Sequence, residues 1–332
     1  MTVLVTGAAG FIGMHVSEGL LAKGEKVVGI DNLNDYYDVG LKQARLERLG
    51  KSDDFTFIKL DLANCEEFFS KLGKIPGITK VVHLAAQAGV RHSLTHPFDY
   101  TDANITGFLA ILEYCRNLPG LEHLVFASSS SVYGGNKTLP YSVDQAVDHP
   151  VSLYAATKKA NELMAHSYAH LYGIPLTGLR FFTVYGPWGR PDMAYWTFSE
   201  KIRKGEAIPI FNHGDMKRDF TYIDDIVSGI IAVLANPPVA KAETAPYRIY
   251  NIGNNRAESL LDFVDILEQA LGQPAIRDLQ PMQAGDVKET FADIDPMRRD
   301  MGYEPTTPLR EGLPKFVDWF LQYQGRNDIK QD

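Results

Sequence analysis

The chain has 332 residues, 45% hydrophobic and 22% charged, an ordinary globular balance with length enough for two domains. With 41 acidic residues against 33 basic ones the formal net charge is −8, and no basic run offsets it, which argues against binding a nucleic-acid backbone. Cys65 and Cys115 are the only cysteines, too few for a disulfide scaffold or a zinc knuckle and in keeping with a reducing cytoplasm. No apolar run is long enough to span a bilayer, and the N-terminal MTVLVTGAAGFIG reads as a strand and turn, not as a signal peptide.

In chain order, Thr2–Val5 predicts a buried strand and Phe11–Lys23 a helix stopped by Gly24. Further strands are expected at Lys26–Ile30, Phe55–Leu60, Lys80–Leu84 and Leu121–Ala127, with helices at Cys65–Leu72 and Phe98–Arg116. A long helix follows at Leu153–Tyr172, closed by Gly173 and Pro175, and then a strand at Leu176–Phe182. Strands alternating with helices predict βαβ units, right-handed crossovers and a doubly wound parallel α/β sheet of Rossmann type. The rhythm breaks near position 180, at a loop containing Pro187, Gly189 and Pro191. A strand at Tyr247–Ile252 and helices at Leu260–Leu271 and Leu309–Tyr323 follow. The expected division is a dinucleotide-binding domain over 1–179 and a smaller α/β substrate lobe over 180–332, with the chain crossing back between them.

Gly7, Gly10 and Gly13 fall at the first strand-to-helix turn, where the backbone must turn tightly and approach a ligand. The N-terminal amides around Phe11 and Ile12 then face an anion, and a pyrophosphate is the natural one. The spacing is GxxGxxG, a departure from GxGxxG. Asp31 closes the second strand 18 positions after Gly13, near the ~20 expected of an acid on the adenosine ribose, with Asn32 beside it. A carboxylate there favours NAD over NADP. Asp61 and Leu62 follow the third strand at the adenine's reach, and the small residues of Leu84-Ala85-Ala86 leave room for the cofactor after the fourth.

Tyr154 and Lys158, four apart, share a helix face. They follow a strand that ends in Ser128-Ser129-Ser130-Ser131, and ligands bind at the C-terminal ends of such strands. A free tyrosine titrates near ~10, too high for a base at neutral pH, but an adjacent ammonium and a cationic nicotinamide ring favour the phenolate.

With these residues, the motifs TGAAGFIG, LAAQAGVRHS, FASSSSVYG, YAATKKANE, LRFFTVYGPWGRPDM and RDFTYIDDI make the chain resemble the extended short-chain dehydrogenases/reductases of the nucleotide-sugar epimerase group. Within the group it most resembles the UDP-glucuronate 4-epimerases. The resemblance implies that Tyr154 is the base, Lys158 its partner and Ser129 the hydroxyl beside the sugar, with the other serines of the run leaving that last choice open. It implies a substrate shell of Arg91, Ser93, Ser129, Ser130, Thr183 and Arg190, with Arg218 on the UDP pyrophosphate and Asp286 on the uridine ribose. Gln283 departs from the arginine many galactose epimerases carry there.

Dehydratases of the group place an acid pair after the catalytic hydroxyl, and decarboxylating synthases a glutamate before Val-Tyr-Gly. Here Ser130, Ser131, Val132, Tyr133 and Gly134 fill the stretch with no acid, which favours epimerisation. Thr183-Val184 stands where galactose epimerases have Asn-Pro, and Arg190 offers a planar fork for a carboxylate; a solvated loop arginine is the alternative. The expectation is NAD-dependent C4 epimerisation of UDP-glucuronate to UDP-galacturonate. An epimerase of neutral or N-acetylated UDP-hexoses is the alternative, and an NAD-reading regulatory module the least favoured. The resemblance also implies a homodimer; no metal site, membrane or nucleic-acid partner is expected. His166 and His170, four apart on a helix, suggest no third ligand.

Overall fold

Seven parallel strands carry the molecule, in the spatial order Tyr247–Ile252, Leu176–Phe181, His123–Ser129, Ile78–His83, Thr2–Thr6, Lys26–Asp31 and Phe55–Lys59. The computed structural model describes residues 1–241, 244–282 and 288–329. A strand covered on both faces needs a continuous apolar run, and Val3-Leu4-Val5 supplies one. Its side chains alternate: Val3 and Val5 join the cluster of Phe11, Val16 and Leu20, while Leu4 joins that of Val28, Phe108 and Ile111 on the opposite face. The chain first builds outward to Phe55–Lys59 and then returns to the far side of Thr2–Thr6. The reversal leaves a crevice at the C-terminal ends of the first and fourth strands, where Thr6 Oγ1 and His83 Nδ1 meet at 2.8 Å.

The helix Phe11–Leu21 leads out of that crevice and packs against Ile223–Ala235. The two approach so closely at Gly19 that a Cβ there would lie 2.9 Å from the side chains of Val227 and Ile231. On the other face, Gly107–Arg116 and Leu153–Tyr172 cover the sheet through Phe108, Ile111, Ala165 and Ala169. The chain leaves the sheet after Phe181 and returns to it at Tyr247, pairing in parallel with Leu176–Phe181. Between and after these points lie the helices Ala194–Lys204, Leu260–Leu271 and Leu309–Ile329, joined by Phe198, Phe263 and Phe316. The same apolar cluster continues into Val3 and Val5 of the sheet.

The expected single helix over Phe98–Arg116 is instead three pieces: a turn at Pro97–Tyr100, a π-helical stretch at Thr101–Thr106 and an α-helix at Gly107–Arg116. Asn104 accounts for the wide turn. Its amide donates to Gln87 O (3.1 Å) and Thr157 Oγ1 (3.0 Å), and its Oδ1 accepts from Gln87 N (2.8 Å). Its own carbonyl accepts from Asn161 Nδ2 at 2.6 Å, so bonds to other segments draw it off the regular ladder. The fifth strand runs to Ser129, two residues further than expected, which carries Ser128 and Ser129 to the sheet's C-terminal edge.

Candidate active site

One cleft takes in Gly7, Gly10, Phe11, Ile12, Gly13, Asp31, Asn32, Asp61, Leu62 and Leu84–Ala86. Ser129, Tyr154, Lys158 and Arg190 line the same cleft. At the turn Gly7 adopts φ +72°, and a Cβ there would stand 2.8 Å from Ala85 N. A Cβ on Gly13 would stand 2.0 Å from Gly7 O. Only glycine lets the helix seat this tightly against the turn. Gly10 is the helix N-cap and supplies no side-chain cap, so the first-turn amides and the positive helix end are presented as an anion site would need.

Asp31 is buried beneath the turn, accepting from Ala9 N (3.2 Å) through Oδ2 and from Leu33 N (2.9 Å) through Oδ1. Burial raises its pKa, against the pull of the Lys42 ammonium and the two amides. Asn32 Nδ2 donates to Asp61 Oδ2 at 3.0 Å, joining the ends of the second and third strands. These residues fit the adenosine and pyrophosphate of NAD: a cradle closed to any side chain, a helix N-terminus and an acid beyond it.

On Leu153–Tyr172, Lys158 is 3% exposed and donates to Ala127 O at 3.0 Å. Burial lowers its pKa to about 8. Tyr154 is half-buried; desolvation raises its pKa, while the Ser129 hydroxyl and the Arg190 charge act in the opposite direction. The helix is fixed in two places. Thr157 Oγ1 and Asn161 bind the Asn104 turn. Glu162 accepts from Arg180 Nε (2.8 Å) and Nη2 (2.9 Å) and from Ser128 Oγ (2.7 Å), all three buried. The hydroxyl of Ser128 thus donates to Glu162, while that of Ser129 donates to Ser131 Oγ (3.2 Å) and accepts from Ser131 N (3.2 Å).

Arg190 lies on the loop after Thr183–Tyr185. Its Nε donates to Asp192 Oδ1 at 3.0 Å and its Nη2 to Asp192 Oδ2, and Tyr36 OH also donates to Oδ2 at 3.1 Å. Burial would lower the guanidinium's pKa; Asp192 more than offsets it, so Arg190 stays firmly charged. The expected fork is present, and a carboxylate of the protein already occupies two of its nitrogens.

Of the other expected substrate residues, Thr183 and Ser130 adjoin residues that line the cleft. Thr183 stands between Phe182 and Val184, which do line the cleft. Ser93 is buried and donates to Val90 O at 2.6 Å, and the Arg91 guanidinium stands 5.6 Å from the ring centre of Phe211. Ser130 opens a short 3-10 turn over Ser130–Tyr133. Arg218 Nη1 donates to the carbonyls of Lys217 (2.9 Å) and Lys288 (3.2 Å). Asp286 lies outside the described residues.

Sequence reasoning missed Tyr36, Lys42, Gln87, Met193 and Tyr195, which also line the cleft. Two of the five, Tyr36 and Lys42, come from the segment between the second and third strands, and for Lys42 the amphipathic helix Val39–Leu49 was the available signal.

The model of the NAD dependent epimerase/dehydratase family matches residues 3–253. Protein CapI of Staphylococcus aureus is 49% identical over 97% of this chain and 99% of its own length. UDP-glucuronate 4-epimerase 4 of Arabidopsis thaliana is 50% identical over 97% of this chain and 76% of its own length. The crystal structure of UDP-glucuronic acid 4-epimerase from Bacillus cereus in complex with UDP-glucuronic acid and NAD matches with a TM-score of 0.87 at 35% identity, covering 97% of this chain and 100% of that one. By the extent of the family match and the identity to these relatives, the chain belongs to the NAD dependent epimerase/dehydratase family.

Proposed function

We propose that the protein is an NAD-dependent 4-epimerase that interconverts UDP-glucuronate and UDP-galacturonate. The observation that carries this is the meeting of Tyr154, Ser129, Lys158 and a paired Arg190 in the cleft that holds the glycine turn. NAD, held by the glycine turn and Asp31, would supply the hydride acceptor for C4 of the sugar and, once reduced, the hydride donor for either face of the 4-ketone. Tyr154 Oη takes the proton of the 4-hydroxyl and gives it back. Ser129 is supported as the sugar-facing serine because Ser128 is held by Glu162. Lys158 keeps a cation within the buried site and holds the nicotinamide ribose.

The 4-keto glucuronate formed on the way is a β-keto acid, which loses CO2 when its carboxylate bond aligns with the carbonyl π system. Arg190 and Thr183 are assigned to the carboxylate, holding that bond out of alignment. The substrate competes with Asp192 for the Arg190 fork. Arg91, Ser93 and Ser130 are assigned to the sugar side, and Arg218 and Asp286 to the UDP.

The reading includes a homodimer, supported by the exposed Phe98, Leu109, Leu163, Leu171 and Tyr172 on and beside the helices Gly107–Arg116 and Leu153–Tyr172. It also includes a cytoplasmic location, supported by two free cysteines. Among the described residues no helix is long and apolar enough to cross a membrane. The test is incubation of the purified protein with UDP-glucuronate and chromatographic resolution of the products: UDP-galacturonate is expected, and an unchanged substrate would refute the assignment.

A further inference from the structure

The guanidinium of Arg45, on the helix Val39–Leu49, is fully buried and joins two parts of the cleft that are remote in sequence. Its Nη1 donates to Ala9 O of the glycine turn (3.0 Å) and to Tyr37 OH (2.7 Å). Its Nη2 donates to both Trp188 O (2.6 Å) and Gly189 O (3.0 Å), the two carbonyls just before Arg190. Its charge also acts on Asp31 and on His15.

The loop it grips needs holding. Trp188 adopts φ +63°, a left-handed conformation that is costly for a bulky side chain and persists only where the surroundings enforce it. With that turn, the carbonyls of Trp188 and Gly189 converge on one nitrogen. The loop has a second fastening: Arg190 N donates to Tyr195 OH at 2.9 Å, and a Cβ on Gly189 would lie 2.5 Å from the Tyr195 ring. Arg45 thus fixes one side of the Trp188–Arg190 segment and Tyr195 the other. An arginine is required because its planar fork reaches the turn and the loop at once, which the point charge of lysine does not.

We infer that Arg45 is a positioning residue that ties the loop carrying Arg190 to the glycine turn, and so sets where Arg190 meets the substrate's carboxylate. This rests on the proposed function for its last clause only; the tie between the loop and the turn stands on the geometry.

The test uses Arg45→Lys in the NAD-loaded protein. Hydrogen exchange is followed by mass spectrometry on peptides covering 186–193, where the amides of Gly189 and Arg190 are bonded to Gly186 O and Tyr195 OH. Exchange there should rise about tenfold or more, with peptides of the central strands unchanged; unaltered exchange at 186–193 would overturn the inference. In turnover, Arg45→Lys should lower kcat/KM for UDP-glucuronate by about 10- to 100-fold, the scale of a small misplacement of a substrate-holding group. In an Arg190→Ala background the same change should lower it by no more than about twofold, since the two residues act through one loop. Full additivity would sever Arg45 from Arg190 and overturn that half. If the wild-type protein does not act on UDP-glucuronate, the functional reading falls while the exchange measurement still decides the tie. Should Arg45→Lys not fold, Tyr37→Phe removes one Arg45 partner and keeps the packing; exchange at 186–193 should then rise about threefold, and no rise would overturn the inference.

Discussion

Replacing Lys158 by methionine should stabilise the cofactor-stripped protein while abolishing turnover. The side chain is 3% exposed, and burial brings its ammonium from 10.5 to about 8. That difference corresponds to about 3 kcal/mol of unfavourable charge burial at neutral pH. Methionine keeps the stem and fills much the same space, but forfeits the 3.0 Å bond to Ala127 O, worth about 1–2 kcal/mol. The net expectation is a gain of about 1–2 kcal/mol at pH 7. The sign with pH follows from proton counts. The unfolded chain keeps the lysine proton up to about 10.5, the folded one only to about 8. Between these values the unfolded state binds more protons, so wild-type stability rises with pH and the variant's advantage shrinks by up to about 1.4 kcal/mol per pH unit. Urea unfolding at pH 7 and at pH 9.5 measures both quantities. A variant less stable than wild type at pH 7, with a difference indifferent to pH, would refute the picture of a charge buried at a stability cost for function.

Asp31→Ser removes the acid assigned to the adenosine ribose; NAD preference over NADP should fall about 10- to 100-fold, read from the two binding constants by calorimetry. Gly13→Ala places a methyl 2.0 Å from Gly7 O, so the turn must open; unfolding should come about 1–3 kcal/mol sooner and copurifying NAD should be lost, both measured on the purified variant. Arg190→Ala should reduce kcat/KM for UDP-glucuronate by about 10- to 100-fold, spare neutral UDP-hexoses, and raise UDP-pentose products of CO2 loss. Equal losses on charged and neutral sugars would leave Arg190 a structural partner of Asp192.

What could be read in the sequence was local. The glycine turn, Asp31 and the Tyr154–Lys158 pair lie within a strand-turn-helix or along one helix, so their spacing already encodes their geometry. The parallel sheet was legible because buried strands demand unbroken apolar runs such as Val3-Leu4-Val5. What stayed hidden depends on partners far along the chain. Arg45 meets Trp188 143 positions away, and Tyr36 meets Asp192 156 positions away, so neither carries a mark in its neighbourhood. The π-helical stretch has an ordinary helical pattern and is shaped by the reach of Asn104 to Gln87 and Thr157. In the sequence alone Arg190 is either a fork for a ligand's carboxylate or a solvated loop arginine. Its partner Asp192, two positions on, was in plain view, but nothing in the spacing said that the two would turn toward each other.

The central claim is that Tyr154 serves as the proton carrier of a 4-epimerase for a charged UDP-sugar. Wild-type protein and Tyr154→Phe should each be incubated with UDP-glucuronate, without added reductant, and the nucleotide sugars separated over time. The account predicts UDP-galacturonate accumulating to a constant ratio with wild type, and a loss of at least about 100-fold in rate with Tyr154→Phe while substrate binding persists. Turnover by Tyr154→Phe at near wild-type rate would contradict it.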